Sequence, residues 1–250
     1  MTKDTIIKVF EKSFPFPIWK IEVDSLQNSL AIEFRDSETT IPSFAVLDFR
    51  GQEKCAPFVA DEKEWTLAAI QGDYLILKRF GTSSPIQAGI QIIHISTGRI
   101  IKTLMEYVLQ EVYQDFIRAN HRAVPSGMPV CIAIATGDTQ YAGRETFKLP
   151  HSAVHYPIAY QGFVPAFIQE LGFTDQLWLQ PYGDLFIWSY HKEMDSTYQL
   201  HLCISDKTQR LDEKVILMDL KRLIPQPYFQ VQEYIFFLSN TKVEIKAYLV

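Results

Sequence analysis

Residues 65–104, WTLAAIQGDYLILKRFGTSSPIQAGIQIIHISTGRIIKTL, hold two dense apolar runs, Tyr74–Phe80 and Gly89–Ile95. A polar loop joins them, and Trp65–Gln71 and Arg99–Leu104 flank them. Each run is rich in Ile, Leu and aromatic residues and is bounded by Gly, Ser, Thr or Pro, the pattern of strands separated by turns. Four consecutive antiparallel strands make a meander. A meander this apolar must be covered by neighbours of its own kind, so the remaining sequence is read for copies of it.

The copies appear at the turns. QGDYLIL (71–77), YGDLFIW (182–188) and QEYIFFL (232–238) each set a small or acidic turn before a very apolar strand, and NSLAIEF (28–34) is a looser version. Gly or Asn suits a primed hairpin turn because positive φ is cheap there. A second tight turn recurs as FRG (49–51), STG (96–98), ATG (135–137) and SDKT (205–208). From Gly51 to Gly98 is 47 residues and from Gly98 to Gly137 is 39, spacings that bracket a four-stranded propeller blade. From Gly137 to Asp206 is 69, which leaves room for an insertion.

In chain order, the expected strands of the first unit are Ile18–Val23, Leu30–Phe34, Phe44–Phe49 and Lys54–Val59, and 65–104 is the second unit. The third, 106–149, is ambiguous at TLMEYVLQEVYQDF, where Leu104, Val108, Val112 and Phe116 fall at helical spacing. Strand is preferred there. The insertion, about 150–174, has Pro165 before AFIQEL and Gly172 after it, the asymmetry of a short helix. The fourth unit resumes at Leu177, and the fifth stops after its third strand. An unpaired edge invites association, so Thr5–Phe10 (TIIKVF) is expected to pair with the last unit and supply its missing outer strand.

The strand order, spacing and aromatic first strands resemble a small β-propeller of about five four-stranded antiparallel blades in a single domain, 1–250. The repeats lack the GH and WD signatures of WD40 and the double glycine of kelch. In length, Trp and Asp pattern and insertion, the chain is similar to an uncharacterised bacterial family of unknown function. That resemblance transfers no catalytic residues. A β-sandwich is the alternative all-β architecture.

Composition narrows the function classes. The 250 residues carry a net charge of −5 with both signs interspersed, so no basic stripe is available for nucleic acid or an anionic membrane. No stretch approaches the roughly 20 apolar residues needed to span a bilayer. The first residues have no uninterrupted hydrophobic region of a signal peptide, and a cytoplasmic location is expected. Cys55, Cys131 and Cys203 sit in or beside apolar strands and are expected to be reduced core residues.

In a propeller, the loops between second and third strands and the links between blades share one face. Long loops on a rigid scaffold are where function concentrates. The candidates on that face are Arg35, Asp36 and Glu38; Arg79 and Thr82; His121 and Arg122; His151, His155, Tyr156 and Tyr160; and His191, Lys192, Glu193 and Asp195. His151 and His155 are four apart, but Pro150 and Pro157 disfavour the helix that would align them, so neither a metal nor any cofactor is expected. His121 with Arg122 and His191 with Lys192 read as solvated loop residues, and Trp19, Trp65 and Trp178 as core. The leading expectation is a non-catalytic protein that binds a protein or a small polar ligand on the long-loop face. The alternative is a carbohydrate-directed hydrolase using loop carboxylates such as Asp36, Glu193 and Asp195.

Overall fold

The computed structural model describes residues 6–80, 88–141, 148–150 and 153–250. The protein is all-β, with five antiparallel sheets in the meander order of propeller blades, one short α-helix and one 3-10 turn among the described residues. β1 (Ile7–Ser13) opens the chain, followed by the first sheet of β2 (Ile18–Asp24), β3 (Ser29–Arg35), β4 (Pro42–Asp48) and β5 (Glu53–Val59). The second sheet contains β6 (Trp65–Gln71), β7 (Tyr74–Arg79), β8 (Ile90–His94) and β9 (Arg99–Leu104). The third contains β10 (Tyr107–Val112), β11 (Phe116–His121), β12 (Val130–Ala133) and β13 (Thr139–Tyr141). Thus the helical spacing from Leu104 to Phe116 spans the ends of three strands, with a register shift between Leu109 and Glu111.

The insertion contributes β14 (Val154–His155), β15 (Ile158–Ala159) and α1 (Ala166–Gln169). The fourth sheet is β15 with β16 (Thr174–Tyr182), β17 (Leu185–Met194), β18 (Thr197–Ser205) and β19 (Arg210–Leu220). The fifth runs β14, β20 (Phe229–Val231), β21 (Tyr234–Leu238), β22 (Glu244–Leu249) and then β1. β1 pairs antiparallel with β22, from Ile7 opposite Leu249 to Ser13 opposite Glu244. The expected segment began at Thr5, which lies outside the described residues.

The recurring first turns have a common backbone cause. Gly72 and Gly183 adopt φ of +57° and +58°, and Asn28 and Gln232 hold φ of 48° and 54° in the corresponding turns. A left-handed residue therefore turns the chain into the second strand in four of the five sheets.

The chain forms two compact units, Phe14–Ala153 and Met1–Ser13 with Val154–Val250. In the first, Phe44, Val46, Trp65 and Leu67 fill one core, and Ile76, Ile90, Ile92, Ile117 and Ile132 fill another. In the second, Ile187, Leu200, Leu202 and Ile204 pack with Ile235, Phe237, Tyr248 and Ile6. Ile168 and Leu171 of the insertion pack with Trp188, Tyr190 and Cys203 on another part of the fourth sheet. Cys131 and Cys203 are buried, Cys55 is half-buried, and all three are free thiols. Two expectations need correction. Trp19 is not core but 66% exposed, since its strand begins at a sheet edge. The fourth sheet's strands also run longer than read: Met194 pairs with Thr197, so 191–195 is strand and tight hairpin.

Candidate functional site

Within the second unit, three segments distant in sequence line a half-open cavity of about 700 Å³. One wall is the link 221–228 between β19 and β20. Pro225 and Pro227 fix φ in this link, which stiffens it. The backbone N–H of Ile224 donates to His191 Nε2 at 3.2 Å, and Tyr228 anchors the far end in the core. The facing wall is Phe229, Phe236 and Leu238, with Phe229 stacked on Phe236 at 5.0 Å between centroids. The loop after β21 closes on itself through Lys242 N–H to Ser239 O at 2.9 Å and Glu244 N–H to Ser239 Oγ at 3.2 Å. It presents Ser239, Asn240 and Lys242 to the cavity, and the insertion adds Tyr156.

The polarity of this cavity is uneven. Its walls are aromatic, proline and aliphatic, while Arg222 and Lys242 are its charged residues and no Asp or Glu lines it. Tyr228 is 3% exposed and its hydroxyl has no hydrogen-bond partner among the described residues. Burial pushes that phenol far above its ordinary pKa.

A second polar cluster lies on the fourth sheet. Glu213 Oε1 accepts from Tyr190 Oη at 2.6 Å, Lys192 Nζ at 3.0 Å and His201 Nδ1 at 3.0 Å, and Oε2 accepts from Arg210 at 2.8 Å. Burial opposes ionisation of Glu213, but the donors from Tyr190 and Lys192 outweigh it and hold the carboxyl at about 2. With Nδ1 donating to a carboxylate, His201 Nε2 is unprotonated, and it is buried without a partner. Burial and Lys192 lower the His201 pKa, and burial with Glu213 pushes the Cys203 thiol up to about 12. A thiol so raised is a poor nucleophile at neutral pH, and the cluster reads as a clip joining β17, β18 and β19.

The sequence-predicted residues fall in separate places. Arg35 is 8% exposed and spends its guanidinium on Glu33 (2.6 Å) and on the carbonyls of Thr40, Lys63 and Trp65, between the rings of Trp19 and Phe80. Asp36 caps its own turn by accepting from the backbone N–H of Glu38 and Thr39, which lowers its pKa. Arg79 pairs with Glu62 over the Trp65 ring. His121 and Arg122 are exposed at the end of β11, as a solvated loop would have them. Thr82 and His151 lie outside the described residues. His155 is exposed opposite Gln230, and Tyr160 donates to Phe163 O against Trp188. Glu193 and Asp195 are exposed at the β17–β18 hairpin, where Asp195 takes φ of 55°.

His191 differs from its expected place. It is 2% exposed in β17, and burial lowers its pKa, which keeps Nε2 available as an acceptor. Tyr156 and, through Ile224, His191 are the candidates that meet at the cavity. Sequence reading missed Arg222, Tyr228, Phe229, Phe236 and Lys242. The signal that marks them is the PQPY run at 225–228, two prolines in one link.

No family model matches the chain, and no curated protein does. Among solved structures it is similar to the β-propeller domain of the Trilobed protease from Pyrococcus furiosus, with 9% identity, TM-score 0.35, and 88% of this chain and 62% of that chain covered. It is also similar to acylaminoacyl peptidase of Pyrococcus horikoshii, with 11% identity, TM-score 0.32, and 88% and 35% covered. A prolyl endopeptidase gives 12% identity, TM-score 0.30, and 93% and 42% covered. The chain therefore spans less than two thirds of the length of each of these.

Proposed function

We propose that this is a binding protein whose ligand occupies the cavity formed by the 221–228 link, the loop after β21 and Tyr156. The observation that carries this reading is the cavity itself. At about 700 Å³ it falls within the range of roughly 300–1,000 Å³ common for small-molecule sites, and it pairs apolar walls with a few polar groups. His191, the two prolines and the closed 239–244 loop brace its walls. Pre-organisation of that kind reduces the ordering cost of binding.

The hydrolase alternative has less behind it. A glycosidase acid needs a carboxyl held protonated near neutral pH. Each described carboxylate with a displaced pKa (Glu11, Asp36, Glu111, Asp206 and Glu213) is displaced downward. A cytoplasmic setting and a non-nucleic-acid partner belong to the same proposal, and they rest on composition.

The test uses N-phenyl-1-naphthylamine, a neutral apolar fluorophore that brightens on leaving water. Wild type should enhance its emission saturably. Leu238→Trp, which fills the cavity from its edge, should abolish the enhancement while leaving the circular dichroism spectrum intact. No saturable enhancement, or equal enhancement in both proteins, overturns the reading.

A further inference from the structure

The cavity rim has a charge balance opposite to that of the chain. The protein has 29 acidic residues against 24 Lys and Arg, yet the cavity is lined by two cations and no anion. Several other cations are ion-paired: Lys20 with Glu22, Arg35 with Glu33, Lys192 and Arg210 with Glu213, and Lys246 with Glu11 and Glu244. Arg222 and Lys242 make no ion pair and no side-chain hydrogen bond among the described residues. Both sit on fixed backbone, Arg222 two residues before the Ile224 contact to His191, and Lys242 at φ 59° with its N–H on Ser239 O. Ser239 and Asn240 add a hydroxyl and an amide beside them.

Two exposed cations among aromatic and proline walls complement a molecule with one acidic end and one apolar end. The two parts would do different work. Burying apolar surface supplies most of the affinity. Exposed ion pairs contribute only a few-fold each, enough to select among head groups. Resting on the cavity reading above, we propose that the ligand is an amphiphilic anion: an apolar body in the cavity and a single carboxylate or phosphate monoester held between Arg222 and Lys242.

Displacement of bound N-phenyl-1-naphthylamine by decanoate, decyl phosphate, decanol and decylamine tests this on the full chain. At least one anion should displace the probe about tenfold more tightly than decanol, consistent with two such pairs, and the better anion identifies the head group. The preference should shrink as ionic strength rises. It should vanish in R222Q/K242Q and persist in R50Q/K207Q, which changes net charge equally away from the cavity. Decanol or decylamine binding as tightly as both anions, an unchanged preference in R222Q/K242Q, or no displacement by any of the four overturns the proposal. Loss of the fluorophore signal in Leu238→Trp would still support the cavity as a binding site, so the two readings fail separately.

Discussion

At the residue scale, the polar groups drawn out of solvent divide into those that are spent and those that are not. Arg35 and Glu213 illustrate the first kind, since each gathers three or more partners and ties neighbouring strands together. Glu213 has a folded pKa of about 2 against an ordinary 4.5. A depressed carboxyl contributes stability above its unfolded pKa and loses it as pH falls through the folded one. Urea midpoints should therefore drop between pH 4.5 and about 2, and Glu213→Gln should flatten that part of the profile; an unchanged slope would refute the assignment. Tyr228 is the second kind. An unsatisfied buried hydroxyl costs on the order of 1 kcal/mol or more, so Tyr228→Phe should stabilise the ligand-free protein by about 1 kcal/mol in chemical denaturation. A destabilised variant would mean that the hydroxyl has a partner. Neither role was legible in the sequence, because partnering depends on strands brought together by folding. Arg35 looks like a ligand residue for the same reason it is a clip: it is a cation next to a long loop.

At the element scale, the meanders were readable and their additions were not. Runs such as YLIL and YIFF between turn residues identify strands by composition and length. β14 and β15 have two residues each, too few to show any period, although they add an edge strand to the fifth and fourth sheets. The loop reading at 191–195 failed because His, Lys, Glu and Asp suggested solvent, whereas β17 stays buried through His191 and runs on, paired, to Met194 at its hairpin. β1 was found from the opposite direction, from the missing partner of β22. The residue just before it is tied in as well: Ile6 is fully buried, its N–H donates to Asp212 Oδ2 at 2.7 Å, and Lys214 Nζ donates to its carbonyl at 3.0 Å. Ile6→Ala should cost about 2–5 kcal/mol. Removal of residues 1–13 should lower the melting temperature further and produce association in size-exclusion chromatography by baring the β22 edge. A monomeric deletion variant with wild-type melting would contradict this account of β1.

At the scale of the whole molecule, repetition and function draw on different parts of the chain. The repeat makes each sheet's apolar strands similar, so a ligand site must come from what varies: links, loops after second strands, and the insertion. The cavity is assembled from all three, at 156, 222–229 and 236–242, which is why no local motif announced it. All of these residues belong to the unit of Val154–Val250 with Met1–Ser13. A ligand at 100 times its Kd stabilises the state it binds by about 2.7 kcal/mol, and amides that exchange by local opening feel this where the ligand's contacts lie. With the tightest-binding amphiphile at saturation, hydrogen exchange should slow in 221–228 and 239–243. The locally exchanging amides of β2 to β13 should keep their rates. Protection confined to those three sheets would place the ligand in the other unit and remove the cavity from consideration.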